Sequence, residues 1–220
     1  MAVLQHIAYT EHHEVKMLDI RILGCSGGIG GDLRTTSLLV GKHTLIDAGT
    51  GVGDLSLDEL QAIDQIFITH SHLDHILSIP LLADAVGGQR QQPITVYALE
   101  ETIADLKAHI FNWRIWPDFA VLPSTDAPYL RWQSISIGQQ IDLGGVQVEA
   151  LPAQHVVPAV GYAIHTSSGS IAFSGDTCYC HAFWQRLHQI PQLQGLILET
   201  SFNNACLLYT SPSPRDGLLS

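Results

Sequence analysis

Residues 67–76 read FITHSHLDHI and place His70, His72, Asp74 and His75 within six positions. Imidazole nitrogens and carboxylate oxygens together are the donor set of Zn(II), with Mn or Fe as alternatives. DQIFITH (64–70) is an apolar run that reads as a buried strand. Side chains at i and i+2 of a strand share a face, so His70 and His72 are expected to converge on one ion. Asp74 and His75 follow in a turn and are expected to face a neighbouring point, which suits two metals close together. More ligands are needed to complete two ions. His155 closes the strand-like VEALPAQH, and Asp176 closes SIAFSGD. Both fall at strand C-termini, the edge where the first cluster lies. The expected set is His70, His72 and His155 on one ion, Asp74 and His75 on the other, and Asp176 shared. A single histidine at a strand end is usually a surface or capping residue, but four ligand-type side chains in six positions exceed what chance placement gives.

Positioning these groups requires strands that end at one edge. LDIRILG (18–24) reads as a strand followed by the glycine-rich GCSGGIGG. TSLLVGKHTLIDAG (36–49) reads as two strands around a Gly41-Lys42 turn. LDEL (57–60) is a helical turn, ILSIPLLADAVGG (76–88) a helix, ITVYAL (94–99) a strand and EETIADLKAHIF (100–111) an amphipathic helix. The second half repeats this grammar. SISIG, QVEALPA, GYAIHT and SIAFSG read as strands, followed by a helix with Phe183, Trp184, Leu187 and Ile190 on one side, then the strand LILET (196–200). Several strands and then helix, twice over, predict two sheets face to face with helices outside.

Composition narrows the function classes. The chain has 220 residues, 46% hydrophobic and 14% charged, which suits a folded core and argues against extended disorder. Ten Lys+Arg against 21 Asp+Glu give a formal charge of −11. Affinity for a polyanion rests on clustered cations, so long nucleic acid is not the expected partner, whereas a small anion can be held by a bound metal. No apolar run reaches the ~20 residues of a membrane span, and the N-terminus lacks the pattern of a secretory signal. Four cysteines without a disulfide framework suit a reducing cytoplasm.

The motif THSHLDH resembles the T-H-x-H-x-D-H signature of the metallo-β-lactamase fold hydrolases. LIDAG (45–49) is similar to their preceding strand and turn, and SGD (174–176) to their bridging-aspartate motif. HSHLDHILSIPLLAD, GCSGGIGGDLRTTSLLV, HIFNWRIWPDF and PAVGY further resemble bacterial class II 3′,5′-cyclic-nucleotide phosphodiesterases. The resemblance implies an α/β fold, a four-layer αββα sandwich, over residues 17–205. It also implies a dinuclear Zn(II) site, and hydrolysis of cyclic AMP or cyclic GMP to the 5′-nucleotide by a metal-bridged hydroxide. A small-molecule cyclic nucleotide is then the expected partner, with a homodimer a further possibility. Asp74 and Asp176 are the candidate catalytic carboxylates, and Asp47 is a candidate partner that fixes a ligand imidazole. Its alternative role is to cap a turn. Ser26, Ser37, Trp113 and Trp116 are candidate pocket residues, the tryptophans as a stacking surface or, alternatively, as core.

The sequence also departs from the family. The resemblance implies a further histidine ligand beyond LILETSF, yet no histidine follows His188. Residues 206–220 (CLLYTSPSPRDGLLS) resemble translated sequencing-adapter, and residues 1–16 read as an N-terminal extension, so a C-terminally incomplete domain with a weakened second metal site is expected. Three other readings stand beside the phosphodiesterase. They are a ribonuclease Z-like enzyme, another ester, thioester or lactam hydrolase of the same fold, and an inactive metal-binding fragment. GCSGGIGG lacks the ending of a phosphate loop and reads as a tight turn, and C-x-C-H at 178–181 is not a zinc spacing.

Overall fold

The computed structural model describes residues 19–200. The expected N-terminal extension (1–16) and the tail (206–220) lie outside the described residues, as does the segment where a further histidine ligand is implied.

The first sheet has six strands. They are β1 (Ile20–Gly24), β2 (Ser37–Val40), β3 (Thr44–Ile46), β4 (Gln65–Phe67) and β5 (Ile94–Ala98), with β8 (Leu130–Ser134) at the far edge. β6 (Pro123–Ser124) and β7 (Ala127–Pro128) form a separate two-stranded hairpin. The second sheet has five strands in the order β13-β12-β11-β10-β9. These are β9 (Gln140–Asp142), β10 (Gln147–Pro152), β11 (Val160–Thr166), β12 (Gly169–Phe173) and β13 (Leu193–Ile197). The helices are α1 (Leu57–Gln61), α2 (Leu73–Ile76), α3 (Ser78–Val86), α4 (Glu100–His109) and α5 (His181–Leu187). No helix among the described residues is long and apolar enough to cross a membrane.

Alternation within the strands separates three cores. Leu38, Val40, Ile46 and Phe67 point toward the second sheet and meet Val148, Ala150, Val160, Tyr162, Ile164 and Phe173. Leu39, Leu45, Ile66, Ile68 and Val96 point the other way, against Ile79, Leu82 and Val86 of α3 and Ile103 and Leu106 of α4. Leu151, Ala163 and Ala172 face outward from the second sheet onto Phe183 and Leu187 of α5. A strand buried on both faces reads as a continuous apolar run, as SLLV and QIFI do. The result is the expected four layers, helix–sheet–sheet–helix.

Strand direction sets the functional edge. β3, β4 and β5 run parallel, so their C-termini share one edge of the first sheet. β10 and β12 are both antiparallel to β11, so their C-termini also share an edge. Two bonds fasten the sheets there: Tyr162 Oη donates to Ile68 O at 2.7 Å and Val160 N to Thr69 O at 3.0 Å.

Three element boundaries differ from the sequence expectation. The strand expected at SISIG is instead Leu130–Ser134. Residues 136–139 form a turn closed by Gln139 Oε1 on Ser136 N and by Gly138 at φ 83°. The helix expected from residue 76 begins at Leu73, so Asp74 and His75 stand in its first turn. The final strand is Leu193–Ile197 rather than 196–200, in parallel register with β12.

Candidate metal centre

His70, His72, His155 and Asp176 lie in short loops beyond strand ends rather than on the strands, and Asp74 and His75 lie in α2. β4 stops at Phe67, three residues before His70; β10 stops at Pro152, three before His155; β12 stops at Phe173, three before Asp176. The extended stretch expected at 64–70 breaks at Ile68, whose N–H turns to Tyr97 O at 2.8 Å. Each loop is tied down. Gln154 N donates to Thr177 Oγ1 at 2.9 Å and Cys178 N donates to Gln154 O at 2.8 Å, which laces the segment carrying His155 to the segment carrying Asp176. Ser78 Oγ donates to Gly49 O at 2.7 Å and Ala48 N to His75 O at 2.7 Å, which seats the start of α2 and α3 on the turn after β3.

The side chains converge. His72 Nδ1 lies 3.0 Å from His70 Nε2 and 3.1 Å from His155 Nε2. One ring nitrogen cannot satisfy two others by hydrogen bonds alone, because a neutral imidazole has a single N–H. A cation among the three satisfies them all, and tetrahedral Zn–N bonds of ~2.0–2.1 Å separate neighbouring ligand nitrogens by about 3.3 Å. Asp176 spans the next gap, with Oδ2 4.0 Å from His70 Nε2 and Oδ1 3.4 Å from His75 Nε2. Asp74 Oδ2 stands 3.6 Å from His75 Nε2. Two groups able to hold a metal result: His70, His72 and His155, and His70, His75 and Asp176. The donor types and spacings fit divalent cations. The grouping differs from the expectation in three respects: His70 belongs to both groups, Asp176 to the second alone, and Asp74 to neither, although its carboxylate borders His75.

Electrostatics sort these residues. Burial, followed by the nearby His75, drives the His70 imidazole down to about 2, so its ring is neutral. Burial likewise lowers His155. His75 is also buried, but the Asp47 carboxylate at 2.7 Å and Asp176 overcome that penalty and hold its imidazolium well above the ordinary value. Burial works to raise Asp176, yet His75, His70 and His155 prevail and keep it ionised.

Asp47 is enclosed, at φ 58°, a left-handed conformation that Asp tolerates better than most residues. Its carboxylate accepts from His75 Nδ1, Thr69 N and Thr69 Oγ1, so it holds a candidate ligand imidazole as well as the backbone. Thr69, which the sequence reading left aside, is fully buried at the heart of this network. Its place in THSHLDH is the only signal that points to it.

The four pocket candidates separate. Ser26 sits on the glycine-rich loop, its N–H bonded to Arg34 O at 3.0 Å. That loop returns through Thr35, which exchanges hydrogen bonds with Thr50 beside the turn of Asp47. Ser37 is completely buried on β2 and lines no opening. Trp113 and Trp116 lie at the wrong end of the sheet. α4 leaves the C-terminal edge of β5 and must return along the sheet before β8 runs parallel to β5. The loop after α4, where Trp116 N bonds Ile110 O, is therefore at the edge opposite the histidines. Trp116 packs on the helix-side core, and Trp113 is 62% exposed with φ 63°. Of the C-x-C-H stretch, Cys180 belongs to the core under α5 and Cys178 Sγ donates to Gln154 O, as a loop reading expects.

Residues 43–206 match the beta-lactamase superfamily domain. The chain belongs to the beta-lactamase superfamily. Its fold is that of the metallo-β-lactamases, seen in the likeness to the Bacillus subtilis metallo-beta-lactamase fold protein YhfI (TM-score 0.59, 19% identity, 74% of this chain and 64% of that one). Unliganded yeast PDE1 superposes with a TM-score of 0.71 at 20% identity, over 92% of this chain and 81% of that one. The short form of human tRNase Z gives 0.66 at 18%, over 90% and 86%. These identities speak for fold alone. Among curated sequences, a probable 3′,5′-cyclic-nucleotide phosphodiesterase of Yersinia pestis is 30% identical over 159 residues, 66% of this chain and 45% of that one. A ribonuclease Z of Clostridium beijerinckii is 31% identical over 160 residues, 68% and 49%. The chain spans about half the length of these curated relatives.

Proposed function

We propose that this superfamily member is a metal-dependent phosphodiesterase that hydrolyses 3′,5′-cyclic nucleotides to 5′-nucleotides. The observation that carries the reading is a pair of adjoining metal-holding groups that share His70, with the Asp176 carboxylate in the second. Two divalent cations held there would supply an acidified water and offset charge on phosphoryl oxygens. The chain's own residues do the rest. His70, His72 and His155 would hold one cation, and His70, His75 and Asp176, bordered by Asp74, the other. Asp74, about a third exposed, is placed to orient the attacking water. Water oxygen joins phosphorus, the bond to the ribose 3′-oxygen breaks, and that oxygen takes a proton.

A ribonuclease Z reading has equal support from sequence likeness. It is disfavoured by charge. The chain carries −11, and Arg21, Arg34, Arg90 and Arg186 are each committed to a carboxylate. A tRNA backbone needs a field of available cations. A compact cyclic phosphodiester bears one charge, which the metals can meet.

The test is zinc-loaded turnover of cyclic AMP and cyclic GMP, with products separated by chromatography. Release of 5′-AMP or 5′-GMP, abolished in His72→Ala, is the expected result. No turnover with two zincs bound would sink the cyclic-nucleotide reading and turn attention to pre-tRNA, β-lactams and S-acyl glutathione. No turnover with one zinc bound would locate the fault in the second group.

A further inference from the structure

We infer that Thr69 is the positioning residue that binds both candidate metal groups into one unit, its hydroxyl fixing the ligand tautomer of His70 and its methyl seating the segment of Asp176. This rests on reading the cluster as a metal centre and not on the choice of substrate.

The argument begins with one proton. Thr69 Oγ1 lies 3.0 and 2.9 Å from the two Asp47 oxygens and 2.9 Å from His70 Nδ1. A hydroxyl donates once and accepts twice. Asp47 already accepts from Thr69 N at 2.8 Å and from His75 Nδ1 at 2.7 Å, so it acts as a carboxylate acceptor. A charged acceptor makes the stronger bond and takes the hydroxyl proton. Thr69 Oγ1 is then left as an acceptor toward His70, whose Nδ1 must carry the hydrogen. His70 Nε2 is thereby bare, and Nε2 is the atom that faces His72 Nδ1 and Asp176. The relay His70 to Thr69 to Asp47 sets the proton of one ligand. The direct bond from His75 Nδ1 sets the proton of the other, on the same carboxylate.

The rest of Thr69 reaches the second sheet. Its carbonyl accepts from Val160 N at 3.0 Å. A Cβ built on Gly175 would stand 3.0 Å from Thr69 Cγ2, so the methyl presses against the residue that precedes Asp176. Gly175 holds φ 59° there, which directs the chain into Asp176. Valine would keep this packing and lose the relay; serine would keep the relay and lose the packing.

The experiment uses the full 220-residue chain labelled with ¹⁵N-histidine. In the metal-free wild type, long-range ¹H–¹⁵N correlation is expected to show His70 with hydrogen on Nδ1 and a bare Nε2. Hydrogen on Nε2 would overturn the inference, and this measurement needs no variant to fold. Zinc affinity is then compared by chelator competition. Thr69→Val is expected to bind the tighter zinc 10–100-fold more weakly, the usual cost of losing a group that orients a ligand. Thr69→Ser is expected to stay within about threefold of wild type there and to lose affinity mainly for the weaker zinc. Equal affinities in Thr69→Val and wild type would refute the role. Nucleotide turnover enters none of these readouts, so failure of the phosphodiesterase reading would leave them unchanged.

Discussion

At the scale of single residues, the site is governed by which groups are allowed to carry charge. His70 and His155 are pushed toward neutrality by burial, and His75 is pushed the other way by two carboxylates. Asp47 is the fulcrum, because it holds His75 directly and accepts from Thr69. Asp47→Asn tests this with little steric change, since Asn also tolerates positive φ and keeps an acceptor oxygen for Thr69. The charge that supports His75 is lost. Zinc titration calorimetry of the variant is expected to show the weaker binding event reduced 10–100-fold, with the three-histidine event retained. If both events matched wild type, Asp47 would be only a turn-capping residue.

At the scale of elements, two packing details set the site and are open to test. Gly49 lies where a Cβ would meet Asp74 O and Thr35 Oγ1 at 2.4 Å, so the turn after β3 and the first turn of α2 touch backbone to backbone. Gly49→Ala must push α2 outward, and Asp74 and His75 with it. Loss of the weaker zinc, with the tighter one kept, is expected in equilibrium dialysis. On the far sheet, Glu149 is buried on β10 and bonded by Arg186 of α5 at 2.6 and 2.8 Å. Burial raises its carboxyl, but Arg186, Gln140 and His165 outweigh that and hold it below 4.5. A lowered folded value means that the stabilisation is complete above the ordinary carboxylate range and disappears as pH falls through the folded value. Arg186→Met is therefore expected to cost about 3 kcal/mol at pH 7. That lowers the melting temperature by roughly 6–12 °C, a gap that narrows as pH falls below the ordinary carboxylate range. A gap independent of pH would mean that Arg186 acts through packing alone.

These elements also show what the sequence made legible. The apolar runs of SLLV, QIFI and GYAIHT were legible as strands, because a strand buried on both faces carries apolar side chains at successive positions. Ligand spacing in THSHLDH survived even though β4 ends early, because the loop keeps all of its donors pointing inward. SISIG failed as a strand because Gly138 and the Gln139 side chain close a turn that hydrophobicity alone does not report. Trp113 and Trp116 were left open between a stacking surface and core, and Trp116 packs on the core, because composition carries no information about which edge of a sheet a loop occupies. Only the parallel pairing of β5 and β8 decides that. Thr69 was passed over because a hydroxyl among histidines shows its use only when donors and acceptors are counted in space.

At the scale of the whole molecule, the candidate centre joins two halves that otherwise meet through an apolar interface. His70, His72, Asp74 and His75 hang from the first sheet, and His155 and Asp176 from the second. Directly beneath them, Tyr162 Oη bonds Ile68 O at 2.7 Å, and the Tyr162 ring meets Phe67 edge-on at 5.5 Å. A metal that binds only when both sheets are in place must stabilise the fold by RT ln(1 + [L]/Kd), about 2.7 kcal/mol at a hundredfold excess over Kd. In a chain of this size that is roughly 5–11 °C in melting temperature. Zinc is expected to raise the transition by this amount and a chelator to reverse it. His155→Ala is expected to abolish the zinc increment while leaving the metal-free transition nearly unmoved, because its ring is only half-buried. Tyr162→Phe should do the opposite. It leaves Ile68 O without its partner, costs about 1 kcal/mol in the metal-free chain, and keeps the zinc increment. Were His155→Ala to retain the full increment, His155 would contribute nothing to metal binding, and Asp176 would be the second sheet's link to the centre.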